Sequence, residues 1–510
     1  MILIHPPVGK PSEPPGGIAR LCGALNHHGI DCRVLDANLE GLLHLLHQPQ
    51  PFPESWNDTG GLRASRNLSN HLLLLKSRRG YDQIDRYKRA VMDLNHLLEV
   101  KASAIGVRLG FASYEDRELS PVKSSDLIRA AEEPEKNPFY SYFSQRFPKL
   151  LENQGIPVVG ISLNYLGQAL CAFAMVGLLR RQCPGLKIIL GGALLTSWMK
   201  RPGGQNPFRG LIDESIAGPG EVPLLSMRGV NGQDFENHYA PNYDAFPLED
   251  YLAPGAILPY SSSNGCYWNK CSFCPEKAEA NPYDPVPPEK ALTDLNALVE
   301  KVKPSLIHFL DNAIPPALMK EMIDQPLGVP WYGFVRITRH LADLDFCMAL
   351  RRSGCVLLKL GLESGDQDAL NALQKGIDLD EASRALKNLK KAGIAAYVYL
   401  LFGTPEEDLA RARKTLDFVV NHHEQIHFLN VALFNLPIND QEALAFATKD
   451  FYEGDLSLYV DFDHPKSWHR KRVREFLDRE FKRHPAIASI LRRTPPIFTS
   501  NHDPFFVMGK

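Results

Sequence analysis

Apolar runs separated by amphipathic stretches mark two parts of the chain. In the first part, the residues between the runs predict helices at Gly17–Gly29 and Gln168–Arg181, and a third helix that begins at Glu221. The apolar runs predict strands at the initial MILI, Cys32–Asp36, Ile156–Leu163, Ile188–Gly192 and Ile212–Gly218. Alternating strands and helices indicate a parallel sheet with a ligand site at the carboxyl ends of its strands.

The second part continues this alternation with six predicted strands. Helices are predicted at Lys290–Val302, Leu341–Arg352, Leu379–Ala392 and Glu406–His422. Strands are predicted at Ala256–Gly265, Leu306–Asn312, Trp331–Ile337, Val356–Ser364, Ala395–Gly403 and Phe428–Leu436. Six strands with intervening helices predict a partial (β/α)6 barrel, in which chemistry belongs at the carboxyl ends of the strands.

These patterns predict an α/β fold class in four segments. Residues 1–235 are expected to form a Rossmann-like α/β domain with a helical insertion at about 39–155. Residues 236–255 contain Pro, Asn and acidic side chains without a clear period, and are expected to be a linker. Residues 256–440 would form the barrel, and 441–510 a small, mainly helical C-terminal cap with a helix over Pro465–Arg483.

Composition and charge argue against several classes of protein, including nucleic-acid-binding and membrane-spanning ones. The 510 residues are 44% apolar and 23% charged, with a net charge of −2, which is typical of a globular protein and gives no footprint for nucleic acid. No stretch has the apolar length needed to span a bilayer, and the start lacks the features of a signal peptide. Nine cysteines, most of them scattered, indicate a reducing compartment, so a cytoplasmic location is expected, with no nucleic-acid or membrane partner.

Three cysteines stand together in SSSNGCYWNKCSFCPEKAE. Cys266, Cys271 and Cys274 follow the first predicted barrel strand with C-x4-C-x2-C spacing. A structural zinc ion would need a fourth ligand, and no second Cys or His pair has suitable spacing. Three ordinary buried thiols are a further alternative. An iron–sulfur cluster held by three cysteines leaves one iron open for another molecule, and this interpretation is favoured.

This motif resembles that of the radical S-adenosylmethionine (SAM) superfamily, whose usual spacing is C-x3-C-x2-C. The chain has one extra residue between the first two thiols. The resemblance implies that Cys266, Cys271 and Cys274 hold a 4Fe–4S cluster, and that the amino and carboxylate groups of SAM occupy the fourth iron. It also implies that Phe273 lies near the adenine.

Further SAM contacts are implied at the ends of predicted barrel strands. Asp311 would support the amino group, Arg336 would pair with the carboxylate, and Glu363 and Ser364 would contact the ribose or amino group. Gly403 would let the backbone approach adenine. The alternatives are an N-cap of the following helix for Glu363 and Ser364, and a surface ion pair for Arg336. Tyr397, Tyr399, Asn501 and His502 are considered as substrate contacts, with packing roles favoured; no residue is assigned to catalysis.

Small residues also recur at the strand ends of the first domain. They are Ser162, Gly191, Gly192, Gly218 and Gly220, and the last of them precedes Glu221. Their order resembles the cobalamin-binding domain that precedes many radical SAM barrels. The resemblance implies that Ser162, Gly191 and Gly192 line the corrin and its nucleotide tail, and that Gly218, Gly220 and Glu221 belong to the same cofactor site. The loop HPPVGKPSEPPGG lacks the D-x-H-x-x-G motif, so no histidine ligand to cobalt is predicted. A degenerate domain that binds no cobalamin is the alternative.

Together the two resemblances imply a cobalamin-dependent radical SAM enzyme that methylates an unactivated carbon. Its substrate would be a small molecule or a peptide, and its electron donor a protein such as flavodoxin or ferredoxin. One alternative is a radical SAM rearrangement or cyclisation without methyl transfer. Another is a non-catalytic iron–sulfur or cofactor-binding protein.

Overall fold

The computed structural model describes residues 1–48, 58–152, 158–201, 203, 206–440 and 446–508. The chain divides into two compact units. The first comprises Met1–Gly255 with Tyr452–Leu458, and the second comprises Ala256–Phe451 with Tyr459–Lys510. The second unit therefore begins where the predicted barrel begins.

The first unit is built on a five-stranded parallel sheet in the order β2-β1-β5-β6-β7. Its strands, with a separate antiparallel hairpin of β3 and β4, are β1 Ile2–His5, β2 Arg33–Asp36, β3 Val107–Leu109, β4 Tyr114–Asp116, β5 Val158–Ser162, β6 Lys187–Gly191 and β7 Glu214–Ser215. The chain runs outward from β1 in one direction and from β5 in the other. This order puts a topological switch point between β1 and β5, where α/β sheets bind ligands.

Ten helices belong to the described part of the first unit. They are α1 Gly16–His27, α2 Ala37–His47, α3 Thr59–Arg66, α4 Leu68–Leu75, α5 Ile84–Ser103, α6 Ser124–Glu132, α7 Tyr140–Leu151, α8 Leu166–Gln182, α9 Ala193–Met199 and α10 Glu221–Met227. Residues 168–179 of α8 are buried on every side, as expected for a helix with an apolar surface all round. The segment predicted as a helical insertion contains α2 to α7 and the β3–β4 hairpin.

Residues 236–255, predicted as a linker, pack within the first unit. The Asn242 N–H donates to the Ala19 carbonyl at 2.8 Å, and the Tyr251 hydroxyl donates to Asp36 Oδ2 at 2.6 Å. Tyr243 is also buried. A backbone hydrogen bond therefore attaches this segment to α1, and a tyrosine side chain attaches it to the end of β2, despite its loop-like composition.

The second unit contains a six-stranded parallel sheet in the order β15-β14-β13-β12-β11-β8. The strands of this unit are β8 Ile257–Tyr260, β9 Ser263–Asn264, β10 Asp284–Pro285, β11 Leu306–Phe309, β12 Trp331–Val335, β13 Cys355–Glu363, β14 Ala395–Phe402, β15 Ile426–Leu433, β16 Leu436–Pro437, β17 Thr448–Asp450 and β18 Tyr459–Phe462. Parallel strands in sequential order, connected by helices, form the predicted partial barrel. The α/β fold class is confirmed.

The helices of the second unit include those predicted between the strands. They are α11 Pro275–Ala278, α12 Pro288–Val302, α13 Pro316–Asp324, α14 Leu344–Arg352, α15 Gln367–Ala372, α16 Leu379–Ala392, α17 Leu409–Asn421, α18 Arg470–Phe476 and α19 Pro485–Arg493. The helix predicted over Pro465–Arg483 is shorter, because α18 begins at Arg470 and passes into a π-helical turn at Leu477–Phe481. None of the helices described in either unit is long and apolar enough to cross a membrane.

Candidate functional site

Three cysteines lie in one loop beyond the carboxyl end of the first barrel strand. Cys266, Cys271 and Cys274 are free thiols between β9 and α11; Cys271 is buried and the other two are half-buried. Within the described residues, no three His, Cys, Asp or Glu side chains are arranged to hold one metal ion. A zinc site needs ligands around one ion, whereas the thiolates of a cubane cluster bind different irons. The three thiols of this loop are the donor set that a cubane cluster with one open iron needs.

A second loop, Leu373–Gly376, holds the cysteine loop in place; we call it the clamp loop. The Ser272 N–H donates to the Leu373 carbonyl at 3.1 Å, and Trp268 Nε1 donates to the Gln374 carbonyl at 3.0 Å. Residues 265–274 contain only turns, bends and irregular backbone. The conformation of the cysteine loop therefore depends on these contacts with a segment about a hundred residues further along the chain.

Two cations lie beside the cysteines. Arg336, just beyond β12, is buried, and its Nη2 donates to the Lys375 carbonyl at 2.5 Å. Its guanidinium carbon lies 4.0 Å from the centroid of the Trp268 ring. Burial raises the pKa of Cys271, and the positive charges of Lys375 and Arg336 oppose that rise. Arg336 thus lies between the Trp268 ring and the clamp loop, and its positive charge is close enough to act on Cys271.

Cys274, the third cysteine, accepts hydrogen bonds from backbone N–H groups. Burial raises the pKa of Cys274, and hydrogen bonds from the backbone of Lys277 and Glu276 oppose the rise. Both donors belong to the first turn of α11. Backbone N–H groups at a helix start favour the thiolate form, which is the form that binds iron.

Glu363 lies in a strained position at the end of β13. Its φ is +68°, and its Oε1 lies 2.8 Å from Lys375 Nζ. A side chain at Gly361 would place Cβ 2.6 Å from that carboxylate oxygen and 2.9 Å from the ammonium. Glycine at 361 therefore leaves the space that the ion pair occupies. Lys375 Nζ also lies 5.4 Å from the centroid of the Phe273 ring, which connects the pair to the cysteine loop.

Asp311 supports the turn that leads into the cysteines. In its buried carboxylate, Oδ1 accepts from the Ser262 hydroxyl at 2.8 Å and the Ser263 hydroxyl at 2.7 Å, and Oδ2 accepts from the Ser262 N–H at 3.1 Å. Burial raises the pKa of Asp311, and these hydrogen bonds oppose the rise. Asn312, the next residue, donates from Nδ2 to the Gly265 carbonyl at 3.3 Å. Asp311 thus has a structural partner for each oxygen, and its contact with SAM stays a prediction.

Ser364 has local partners as well. Its Oγ lies 3.2 Å from Thr415 Oγ1 on α17 and accepts from the Asp366 N–H at 3.1 Å. Asp366, and not Glu363 or Ser364, caps α15, because its Oδ1 accepts from the Ala369 N–H at 2.8 Å. The cofactor role of Ser364 stays a prediction.

Gly403 follows β14 with a φ of +84°. Its N–H donates to Glu407 Oε2 at 2.6 Å, and the same oxygen accepts from Trp468 Nε1 at 2.8 Å. Burial raises the pKa of Glu407 to about 7, against the effect of both hydrogen bonds. A cavity of about 380 Å³, including space open to solvent, lies beside Gly403 and is lined by Phe434 and Phe462 among others.

The barrel interior contains a cation that the sequence did not single out. Lys359 on β13 is buried, and its Nζ lies 3.0 Å from His308 Nε2 and 4.7 Å from the centroid of the Tyr332 ring. Leu358 and Leu360 point to the opposite face because strand side chains alternate. Nearer the mouth, the rings of Phe334 and Tyr399 are half-buried and lie 4.8 Å apart. The interior therefore has a polar, buried floor below a more open aromatic rim.

In the first unit, the predicted small residues meet at the carboxyl edge of the sheet. Ser162 pairs with Gly191 across β5 and β6, and the Gly218 N–H donates to Thr196 Oγ1 at 2.9 Å. Glu221, at the start of α10, forms an ion pair of 2.5 Å with Arg20 of α1. Gly220, which precedes α10, lies against Leu21 of α1. Gly220 and Glu221 thus connect α10 to α1. Their contact with cobalamin stays a prediction.

Gly191 and Gly192, which are neighbours at this edge, differ in the space available to a side chain. A Cβ at Gly192 would lie 2.4 Å from the Leu163 carbonyl oxygen, and its φ is +105°. A Cβ at Gly191 would meet the Ile216 carbonyl oxygen at 3.7 Å, an ordinary contact. Gly192 is therefore required by the fold itself, whereas Gly191 leaves space at the surface of the edge.

Alanine at Gly376 is expected to lower iron retention although it changes no ligand. Gly376 has a φ of +63°, and its Cβ would lie 2.3 Å from the Trp268 ring. Displacing the indole would loosen the cysteine loop. We expect clearly less iron per chain after anaerobic reconstitution, measured by iron analysis. Gly328→Ala is the control, because its φ is +74° but nothing lies within 4 Å; equal iron in both variants would contradict the role of the clamp.

Comparison with known proteins identifies the barrel. Residues 260–419 match the Radical SAM superfamily, which confirms the resemblance seen in the cysteine motif. The fold is similar to that of the radical SAM methyltransferase TsrM from Kitasatospora setae, solved with cobalamin and an iron–sulfur cluster bound. That match covers 85% of this chain and 75% of TsrM, with a TM-score of 0.51 and 13% identity.

Two curated relatives match parts of the sequence. An uncharacterized methyltransferase of Pyrococcus horikoshii is 24% identical over 261 residues, which are 47% of this chain and 53% of the relative. The anaerobic magnesium-protoporphyrin IX monomethyl ester cyclase of Rubrivivax gelatinosus is 25% identical over 215 residues, 39% of this chain and 36% of the relative. The chain thus spans about half or less of the length of these relatives.

Proposed function

We propose that this chain, which carries a radical SAM domain at residues 260–419, is a cobalamin-dependent enzyme that methylates an unactivated carbon of a small molecule. The observation that carries the proposal is the cysteine loop at the carboxyl end of the barrel, with Arg336 and Lys375 beside its thiols. A parallel sheet with its own ligand edge, in the first unit, supports a second cofactor.

Cys266, Cys271 and Cys274 would hold the cluster. When bound, the reduced cluster supplies the electron that cleaves SAM to a carbon radical, and cobalamin supplies the methyl group. The chain's own residues would prepare this site: the clamp loop fixes the backbone, and Lys375 and Arg336 favour the anionic thiolate of Cys271. Burial of Cys271 would limit the access of water to the cluster.

We assign SAM to the same end of the barrel. Arg336, a buried guanidinium, suits the carboxylate of SAM through a charge-assisted hydrogen bond. Glu363 would contact the ribose or the amino group, and Phe273 would lie near the adenine. Gly403, with a φ of +84° and no side chain, would let the backbone approach the adenine.

We assign cobalamin to the carboxyl edge of the first sheet. Gly191 is half-exposed with room for a close approach, and Gly218 has nothing within 4 Å of its Cβ position. His5, at the end of β1, is buried, and its Nε2 lies 3.4 Å from Gln168 Nε2. This enclosed position supports binding without a histidine on cobalt.

The substrate would enter the barrel from its carboxyl end. The half-buried rings of Phe334 and Tyr399 would contact it, above the floor formed by Lys359 and His308. A protein of the flavodoxin or ferredoxin type would supply electrons, and a reducing cytoplasm suits both the thiols and the cluster. A small-molecule substrate is favoured over a peptide because the floor of the interior is buried.

Product analysis tests this proposal. We expect anaerobically reconstituted protein, given reductant, SAM, cobalamin and candidate substrates, to form 5′-deoxyadenosine and S-adenosylhomocysteine in the same reaction. The second product reports renewal of methylcobalamin from SAM. Deoxyadenosine with substrate turnover but no methylated product would reject methyl transfer.

That outcome would favour the second candidate, a radical cyclisation or rearrangement. The observation in its favour is the partial match to a relative whose name is that of a cyclase. Both candidates use the same cluster and the same end of the barrel. Only the methylated product and S-adenosylhomocysteine separate them.

A further inference from the structure

Two cysteines outside the cluster loop lie in contact in the first unit. Cys22 is on α1 and is 2% exposed, and Cys32 lies just before β2 and is half-buried. Their sulfurs are 2.8 Å apart. No other pair of cysteine sulfurs forms such a contact in the part of the chain that the structure describes.

We propose that Cys22 and Cys32 form a reversible disulfide when the protein meets a small-molecule disulfide such as glutathione disulfide. A disulfide requires a sulfur–sulfur distance of about 2.05 Å, so the two side chains need to move by less than about 1 Å. The sequence separates them by a helix end and a turn, and the fold brings them together. The site is independent of the barrel cysteines and of the proposed methyl transfer.

The surroundings assign different roles to the two thiols. The hydrogen bond with Cys22 lowers the pKa of Cys32, and the same contact, together with burial, raises the pKa of Cys22. Cys32 is also the more accessible of the two. A thiolate that is accessible and stabilised by a donor is the one that attacks a disulfide. Cys32 therefore attacks first, and Cys22 resolves the intermediate.

The exchange balances in two steps. The Cys32 thiolate attacks one sulfur of glutathione disulfide, forms a mixed disulfide and releases one glutathione thiolate. The Cys22 thiolate then attacks the Cys32 sulfur, forms the internal disulfide and releases the second glutathione thiolate. The protons lost by the two cysteines are taken up by the two released thiolates. The protein loses two electrons, and glutathione disulfide gains them.

The sequence provides a direct assay. Arg20 and Arg33 flank both cysteines, so trypsin releases them in one peptide, Leu21–Arg33. After incubation of the anaerobically reconstituted full chain with glutathione disulfide and alkylation of remaining thiols, we expect this peptide without alkyl groups and lighter by two hydrogen atoms. The midpoint of thermal unfolding should rise on oxidation, because the bond joins α1 to the start of β2.

Single variants separate the two roles. With Cys22→Ser, Cys32 should retain glutathione as a stable adduct, since no resolving thiol remains. With Cys32→Ser, the peptide should acquire neither glutathione nor a disulfide, because Cys22 is buried. Cys183 is half-buried and has no thiol partner among the described residues. Its glutathionylation shows that the reagent is active. A Leu21–Arg33 peptide that stays fully reduced while Cys183 is glutathionylated would overturn the proposal, as would stable glutathione on Cys32 in the unaltered chain.

Discussion

Alanine at Cys266, Cys271 or Cys274 is expected to remove the iron–sulfur cluster and to stop deoxyadenosine formation. The unaltered chain should bind about four irons after reconstitution, and each single variant far fewer, because a cubane held by three thiolates has no local replacement ligand. The largest effect is expected at Cys271, which is buried between the clamp loop and the two cations. Iron analysis and visible absorption measure the cluster, and product analysis measures SAM cleavage.

Cys183→Ala is the matched control for these variants. This thiol is half-buried in the first unit, and its replacement should leave iron and absorption unchanged. A triple variant that kept full iron and its visible absorption would show that the cluster lies elsewhere. A colourless protein holding zinc through the same thiols would restore the zinc alternative.

Alanine at Gly192 is expected to destabilise the whole first unit and thereby to abolish cobalamin retention. Its φ of +105° is strained for any side chain, and the Cβ would lie 2.4 Å from the Leu163 carbonyl oxygen. Backbone strain alone costs about 1–3 kcal/mol, and the contact adds to it. Circular dichroism should show a lower midpoint of thermal unfolding. Gly210→Ala is the control, since its φ is +90° but nothing lies within 4 Å.

Gly191→Val separates cofactor binding from folding at the same edge. Its Cβ meets only an ordinary contact, so the unfolding midpoint should change little. A branched side chain there should nonetheless block the approach of a large flat ring. We expect cobalamin absorbance to be lost after gel filtration. A folded Gly191→Val protein that retains as much cobalamin as the unaltered chain would show that the corrin ring does not lie against this residue.

The barrel could be predicted from the sequence because its signals are local. The helix predicted at Leu379–Ala392 has those bounds in the structure, since Asp378 caps its start and Gly393 ends it in the left-handed conformation. Five of the six predicted barrel strands lie within a few residues of their observed bounds, and β8 is shorter because the chain turns after Tyr260 toward the cysteines. Apolar periodicity and caps act over a few residues, so a sequence shows them directly.

The site could be predicted only in part. The spacing of the cysteines is visible in the sequence. The positions of Trp268 and Lys375 beside them are not, because these depend on contacts between segments far apart in the chain. For the same reason, the hydrogen bonds that engage Asp311 and Ser364 could not be foreseen from strand ends. Gly192 was expected to give space to a cofactor, whereas its nearest neighbour is the backbone of Leu163.

The clamp loop imposes an order on biosynthesis. A ribosome produces the cysteine loop long before Leu373–Gly376, at about 5–20 residues per second, so the nascent thiols spend several seconds without the partners that shape them. During that interval the loop lacks the hydrogen bonds from Trp268 and Ser272 to the clamp loop. Insertion of the proposed cluster therefore has to follow synthesis of the fourth barrel strand and α15. Cells that overproduce this chain faster than they supply iron should accumulate it in an oxidised or zinc-loaded form.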